Sequence, residues 1–395
     1  MIAPFDIARL PRIAFGSGTR RRLPELCARF GSRLLLVTGA RSLQASPHWP
    51  GLIEGLEQAG LAWSHCTIGG EPSPEQVDAL AAGYRDADID LVLGIGGGSV
   101  LDAAKAIAGL LRVEHSVMDY LEGVGPELPY EGPATPFIAV PTTAGTGSEA
   151  TKNAVLSRQG TDGFKKSFRH EDLVPAWAVV DPDLLDTCPP HLVAANGMDA
   201  LTQLMESYVS LRANAMTDAL AISGLRAARD SLLPWFEGRG DLAAHRAGMA
   251  YAALQSGITL AQTGLGSVHG LASPLGAFFP IPHGVVCGTL VAEATRVNIE
   301  AMRAREPDNP ALGRYARLAE ILCERRIREP EAAWSALVAR LEDWTNRLQL
   351  PRLGGYGVRR EDIPRIVANS RGSSMKTNPI VLTDEEIAAI VEARL

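Results

Sequence analysis

The chain reads as two domains, a parallel α/β domain over residues 1–185 and an all-helical domain over residues 186–395. Three observations predict this. Short apolar runs alternate with helical stretches through the first half, the pattern of strands that pair in parallel through crossover helices. One of those runs, Leu91-Val92-Leu93, passes straight into Gly94, Gly96, Gly97 and Gly98 and then into a helix-forming stretch ending at Ala108. From about Pro189 the strand signals thin out and helical periodicity dominates to the end. A length of 395 residues accommodates two domains of ordinary size, and 46% hydrophobic with 21% charged residues fits a soluble globular chain with a large core.

In chain order, Arg12–Phe15 is strand-like, and a Gly-Ser-Gly turn leads to a helix carrying Leu23, Leu26 and Phe30. Residues 33–38 (RLLLVT) form the first strand of a nucleotide-binding unit and end at Gly39. An amphipathic helix over residues 50–59 and a second strand over 62–67 follow. Ser73 and Pro74 open a helix to residue 86 as N-cap and first-turn proline. The third strand, 90–93, feeds the glycine loop, and a fourth, 137–140, ends in PTTAGTGSE. Runs at 153–157 and 165–169 flank Gly160–Gly163 as a hairpin, and 178–181 is a further strand. Helices are predicted over 193–210, 217–233, 242–259, 312–322, 331–348 and 384–393, with a shorter apolar helix at 285–290.

A strand, a glycine loop and a helix N-terminus together form an anion site. Glycines let the backbone approach a phosphate, and the first helical N–H groups and the helix dipole stabilise its charge. Lys105, within two turns of the loop, adds a positive charge. The competing reading is a plain strand-to-helix turn, for which three consecutive glycines are costly in chain entropy.

The net charge of −7 argues against nucleic acid or an anionic membrane as partner. Arg20-Arg21-Arg22 reads as a solvated face. Five cysteines without CxxC spacing read as reduced thiols of a cytoplasmic protein. The N-terminus shows no signal-peptide pattern, and no run of about 18 apolar residues predicts a membrane span.

The helical half holds three stretches with chemical potential. Asp199 and Gln203 lie four residues apart, on one helical face. His269 and Ser273 are likewise one turn apart, and His283 sits between Pro282 and Gly284. One carboxylate, one amide oxygen and two imidazoles suffice to surround a divalent cation. Each histidine taken alone also suits a structural role, and the remaining histidines receive none. A cleft between the two halves is the expected place for a small-molecule site.

GGGSVLDAAKAIA, PTTAGTGSEAT, GMDALTQ and VHGLASPLGAFFPIPHG occur in this order across the whole chain. Together they resemble the iron-containing (group III) alcohol dehydrogenase family. The resemblance implies a Rossmann-like dinucleotide-binding domain and an all-helical domain, the architecture shared with dehydroquinate synthase. It implies a nicotinamide cofactor, NAD(P)(H), and a divalent metal, Fe²⁺ first and Zn²⁺ second. Carried over by motif, Gly96, Gly97, Gly98, Ser99 and Asp102 hold the cofactor pyrophosphate and its surroundings. Thr142, Thr143 and Ser148 line its adenosine and nicotinamide side, and Lys165 reaches its ribose. Asp199, His269 and His283 match three of four metal ligands. The resemblance also implies a homodimer or higher homo-oligomer acting on a small alcohol or aldehyde.

This chain departs from the family pattern at three places. Gln203 stands where the family has a histidine ligand, so a poorer carbonyl donor is expected to assist the metal. Ser273 replaces a histidine given a proton-relay role, so proton delivery is expected through Ser273, the cofactor ribose or solvent. The pH profile is then expected to lack an essential group near about 6.5. Gly39, followed by Ala40, Arg41 and Ser42, replaces an acid at the end of the first strand. Loss of the acid removes repulsion of a ribose 2′-phosphate, and Arg41 and Ser42 can pair with it, so NADP(H) is expected to be accepted. Gly39 as a simple turn residue, with Arg41 in solvent, is the alternative. Phe278 and Phe279 either shape the substrate pocket or belong to the core.

The expected function is a metal-dependent alcohol dehydrogenase or aldehyde reductase with His269 and Ser273 at the reacting end. The rivals are a metal-independent reductase resembling maleylacetate reductase, an NAD-containing lyase resembling 3-dehydroquinate synthase, and a non-catalytic nucleotide binder.

Overall fold

The computed structural model describes residues 2–395. The chain divides into two compact units. One comprises residues 8–158 and 165–189; the other comprises residues 2–7, 159–164 and 190–395.

The first unit is built on a parallel sheet of strands β1 (Arg12–Phe15), β2 (Arg33–Gly39), β3 (Ala62–Ile68), β4 (Leu91–Gly96), β5 (Phe137–Pro141) and β8 (Trp177–Val180). Strands β6 (Asn153–Arg158) and β7 (Phe164–Arg169) pair separately. Among the described residues the sheet order is β1-β8-β5-β4-β2-β3. The central strands are apolar on both faces, as a sheet covered on both sides requires: Leu34, Leu36, Leu91, Leu93, Ile138 and Val140 are buried on one face, and Leu35, Val37, Val92 and Ala139 on the other. At roughly 1.5–3 kcal/mol per fully buried aliphatic side chain, these runs dominate the unit's stability. Helices α1 (Leu23–Ala28), α2 (Trp49–Gln58), α3 (Pro74–Tyr84) and α4 (Gly98–Leu110) connect the strands. The Ser73 hydroxyl accepts from the Gln76 N–H to cap α3, as its sequence position predicts.

The order has a functional consequence. After β2 the chain leaves to β3 on one side, and after β4 it leaves to β5 on the other. β2 and β4 are neighbours, with Thr38 opposite Ile95. Their carboxyl ends therefore flank the switch point of the sheet, where a dinucleotide binds in open α/β folds.

The second unit is helical: α5 (Pro190–Val209), α6 (Ala215–Phe236), α7 (Leu242–Thr263), α8 (Ser267–Phe278), α9 (His283–Arg305), α10 (Ala311–Cys323), α11 (Pro330–Arg347), α12 (Ile363–Ala368) and α13 (Asp384–Glu392). Helix α5 is buried on every face from Val193 to Val209, which marks it as the unit's core helix. α9 packs on it through missing side chains. A Cβ on Gly284 would lie 2.4 Å from the Ala195 carbonyl oxygen, and one on Gly288 would lie 2.8 Å from Met198 Cβ. The first turn of α9 thus lies against the backbone of α5. The apolar helix expected at 285–290 is the start of this much longer α9.

Candidate cofactor and metal sites

In the α/β unit, β4 ends at Gly96, Gly97 is the extended N-cap, and α4 begins at Gly98. The N–H groups of Gly98 and Ser99 precede the ladder, which starts with the Val100 N–H on the Gly97 carbonyl at 3.0 Å, so they are the ones that can face an anion. The glycines also have a packing role. A Cβ at Gly98 would lie 2.5 Å from Thr146 Cγ2, so the segment Pro141–Ser148 sits directly on the loop. The Thr142 N–H donates to the Gly96 carbonyl at 2.9 Å and fixes that segment. Ser99, Thr142 and Thr143 are half-buried beside the loop. The loop glycines are therefore required by packing, whether or not a phosphate binds.

Ser148 and Asp102 meet: the Ser148 hydroxyl donates to Asp102 Oδ1 at 2.5 Å. Burial raises the Asp102 carboxyl, against the pull of Lys105 and the Ser148 bond. Lys105 departs from the expectation that it reaches a phosphate. Its side chain is fully buried, and Nζ lies within 3.1 Å of the Ser148 carbonyl, Ser148 Oγ, Thr151 Oγ1 and the Asn153 carbonyl. It pins the start of β6 to α4. Burial lowers it to about 8, with Asp102 and Glu149 opposing. Lys165 pairs with Glu71 at 2.6 Å, and Glu71 also accepts from Ser157 at 2.7 Å. Gly39 closes β2 opposite Ile68, and Arg41 and Ser42 follow it as exposed residues at the carboxyl edge of the sheet.

In the helical unit, three helices bring four donors together. Asp199 comes from α5, His269 from α8, and His283 and Cys287 from α9, with one ligand-type atom of each lying within 4.8 Å of all the others. Asp199 Oδ1 is 3.3 Å from His269 Nε2 and 3.7 Å from His283 Nε2. Cys287 Sγ is 3.6 Å from His269 Nε2 and 3.7 Å from His283 Nε2. Asp199 is completely buried, and its Oδ2 has no hydrogen-bond partner. A buried carboxylate oxygen without a donor is expensive, and a cation is what would satisfy it. Burial works to raise the Asp199 carboxyl, but His283, His269 and Cys287 hold it below its ordinary range. These residues fit a divalent ion.

Glu206 orients the imidazole. It lies on α5 seven residues after Asp199, hence on the same face two turns on. Glu206 Oε2 accepts from His269 Nδ1 at 2.6 Å, while Oε1 accepts from the Val268 N–H at 2.7 Å. A proton on Nδ1 leaves the Nε2 lone pair facing Asp199, the arrangement by which carboxylates orient metal-binding histidines. Burial opposes protonation of His269, but Cys287, Glu206 and Asp199 outweigh it and raise its affinity for a proton well above the usual. The cluster favours positive charge.

Gln203 turns its amide nitrogen, not its oxygen, toward the centre: Nε2 donates to Asp199 Oδ1 at 3.2 Å. Its Oε1 accepts from the Ser256 hydroxyl of α7 at 2.6 Å. Ser273 is half-buried on α8, one turn beyond His269. Phe278 is half-buried under the Arg365 guanidinium, 4.2 Å from its ring centre. Neither Glu206 nor Cys287 was singled out by sequence reasoning. Their spacings from Asp199 and His283 were the available signals.

The profile of the iron-containing alcohol dehydrogenase family matches residues 11–182, and that of the family's C-terminal domain matches residues 193–395. Long-chain-alcohol dehydrogenase 1 of Geobacillus thermodenitrificans is 34% identical over 82% of this chain and 79% of that relative. The NAD-dependent methanol dehydrogenase of Bacillus methanolicus is 30% identical over 98% of both chains. A crystal structure of 1,3-propanediol oxidoreductase superimposes with a TM-score of 0.89 at 28% identity, covering 100% of both chains. With the glycine loop at the sheet switch point and the Asp-His-His cluster in place, the chain belongs to the iron-containing alcohol dehydrogenase family, a family of oxidoreductases.

Proposed function

We propose that the protein interconverts a small alcohol with its aldehyde or ketone, using a nicotinamide cofactor and one divalent metal ion. The observation that carries this is the convergence of Asp199, His269 and His283 from three helices around a carboxylate oxygen that lacks a partner. A bound metal supplies Lewis acidity to the substrate oxygen, and the nicotinamide supplies or takes the hydride.

The chain's own residues provide the rest. Asp199, His269 and His283 hold the ion, and Glu206 fixes the tautomer and orientation of His269. Gly97, Gly98 and Ser99 offer backbone donors to the cofactor pyrophosphate, while Gly96 ends β4 beneath them. Asp102, Thr142, Thr143 and Ser148 shape the cofactor's surroundings, and Lys165 lies toward its ribose. The Ser273 hydroxyl, one turn from His269, passes the proton that an alcoholate needs in the reductive direction. Serine does not titrate near neutrality, so it relays rather than stores that proton.

Gly39 leaves the end of β2 without an acid, and the exposed Arg41 and Ser42 beside it support use of NADP(H) as well as NAD(H). Iron is the metal implied by the family name. Ile13 and Phe15 are 40% and 39% exposed on the edge strand β1, which supports a homodimer or higher homo-oligomer. Among the described residues no helix is long and apolar enough to cross a membrane, and the cysteines are unpaired. These two features fit a cytoplasmic enzyme.

The test is cofactor oxidation by the metal-loaded protein with a series of short and long aldehydes and ketones. The reading predicts turnover with at least one short aldehyde and net loss of NAD(P)H. No oxidation of either cofactor with any carbonyl would overturn it.

A further inference from the structure

We propose that the Cys287 thiolate is a protein ligand of the metal, completing an Asp-His-His-Cys set in which Gln203 does not ligate. This rests on the reading that the cluster holds a divalent ion. Three observations carry it.

The first is geometry. Metal–nitrogen, metal–oxygen and metal–sulfur bonds of roughly 2.0–2.1, 2.0–2.2 and 2.3 Å in a tetrahedron require N···O edges of about 3.4 Å and N···S edges of about 3.6 Å. The observed N···O edges are 3.3 and 3.7 Å, and the observed N···S edges are 3.6 and 3.7 Å. The sulfur therefore stands where a fourth ligand stands, in line with the two imidazole nitrogens and the carboxylate.

The second is local backbone. Cys287 follows His283 by one turn of α9, so both project to the same side of that helix. Gly284 and Gly288 let this face of α9 lie against α5, which carries Asp199. Cys287 is fully buried, and its ring contacts are the two histidines of the cluster.

The third concerns Gln203. A side-chain amide nitrogen has no lone pair to offer a metal, and that nitrogen faces Asp199. The oxygen lies 2.6 Å from the Ser256 hydroxyl, which also contacts the Ala253 carbonyl at 2.7 Å. Gln203 instead donates to Asp199 Oδ1, the same oxygen that faces the two imidazole nitrogens, and so positions the carboxylate.

On binding, the thiol gives up its proton to solvent as the metal–sulfur bond forms. A thiolate in the set favours zinc over iron, because soft sulfur donors select zinc whereas an all-imidazole-and-carboxylate set suits both.

The test uses cobalt, whose thiolate complexes absorb in the near ultraviolet by sulfur-to-metal charge transfer. The chelator-stripped full chain is titrated with Co²⁺ alone, and absorbance and bound metal are followed together. Expected is a charge-transfer band that saturates at one ion per chain, persists in Gln203→Ala and vanishes in Cys287→Ser. The zinc affinity of Cys287→Ser is expected to fall at least tenfold. Stoichiometric cobalt binding by the unsubstituted chain without the band overturns the inference while leaving the metal-dependent reading intact. So does a band undiminished in Cys287→Ser. Failure of the unsubstituted chain to bind cobalt at all overturns both. The unsubstituted chain alone decides the matter if Cys287→Ser does not fold.

Discussion

Glu206→Gln isolates the hold that α5 exerts on His269. Glu206 accepts two hydrogen bonds, from the Val268 N–H at 2.7 Å and from His269 Nδ1 at 2.6 Å. Glutamine has the same shape but a single acceptor oxygen. Whichever N–H keeps that oxygen, the other meets an NH₂ group and loses its partner in a buried site. An orphaned buried donor costs about 1–3 kcal/mol of folding stability. Loss of an outer carboxylate behind a ligating histidine weakens metal binding by roughly 10–100-fold, about 1.4–2.7 kcal/mol. Zinc affinity is measured by competition with a chromophoric chelator, and stability by urea unfolding of the metal-free protein. Both losses are expected together. A folded variant whose zinc affinity stays within about threefold of the unsubstituted protein would refute the assignment of His269 as a ligand oriented by Glu206.

Four further outcomes follow. Gly284→Ala places a methyl group 2.4 Å from the Ala195 carbonyl oxygen, so α9 must retreat from α5; a thermal melt should show about 1–3 kcal/mol of destabilisation with weakened zinc binding. Gly313→Ala on α10, where a Cβ meets nothing within 4 Å, should leave stability equal or higher by up to about 1 kcal/mol. Glu149 is buried, and desolvation pushes its carboxyl up to about 7, against its backbone bond and Lys105. The fold therefore keeps a proton that the unfolded chain releases near 4.5, and this contribution is present at low pH and lost as pH rises through about 7. The stability of Glu149→Gln relative to the unsubstituted protein should grow between about pH 4.5 and 8 by about 3 kcal/mol, and a flat difference across that window would contradict the burial argument. Finally, kcat/KM for NADPH should be no less than about a tenth of that for NADH, a gap of ~1.4 kcal/mol; a larger preference for NADH would mean that Arg41 and Ser42 stay in solvent.

Much of the α/β half was legible in the sequence because its strands are apolar on both faces and punctuated by glycine. The runs at 33–38, 90–93 and 137–140 fall within β2, β4 and β5 or at their edges. The position of β1 beside β8 was not legible, since nothing local to Arg12–Phe15 says which strand it joins. The glycine loop shows why motif and packing are entangled: Gly98 is required by Thr146 whether or not a phosphate binds. Lys105 looked like a phosphate ligand by spacing alone, and four acceptors from the segment 148–153 claim it instead. In the helical half, Asp199, His269 and His283 stood out by type and motif. Glu206 and Cys287 did not, because their meaning depends on how α5, α8 and α9 converge. The Gln203 amide meets Ser256, 53 residues away, beyond any local spacing rule.

The account stands on one ion and one activity sharing a site. Chelator-treated protein is titrated with Zn²⁺ and with Fe²⁺ while bound metal and NADPH oxidation with a short aldehyde are read in the same samples. Activity is expected to rise in proportion to occupancy of a single site per chain, and Asp199→Ala is expected to abolish both. Full activity with no metal bound would contradict it and place the polarisation of the substrate on the protein's own side chains.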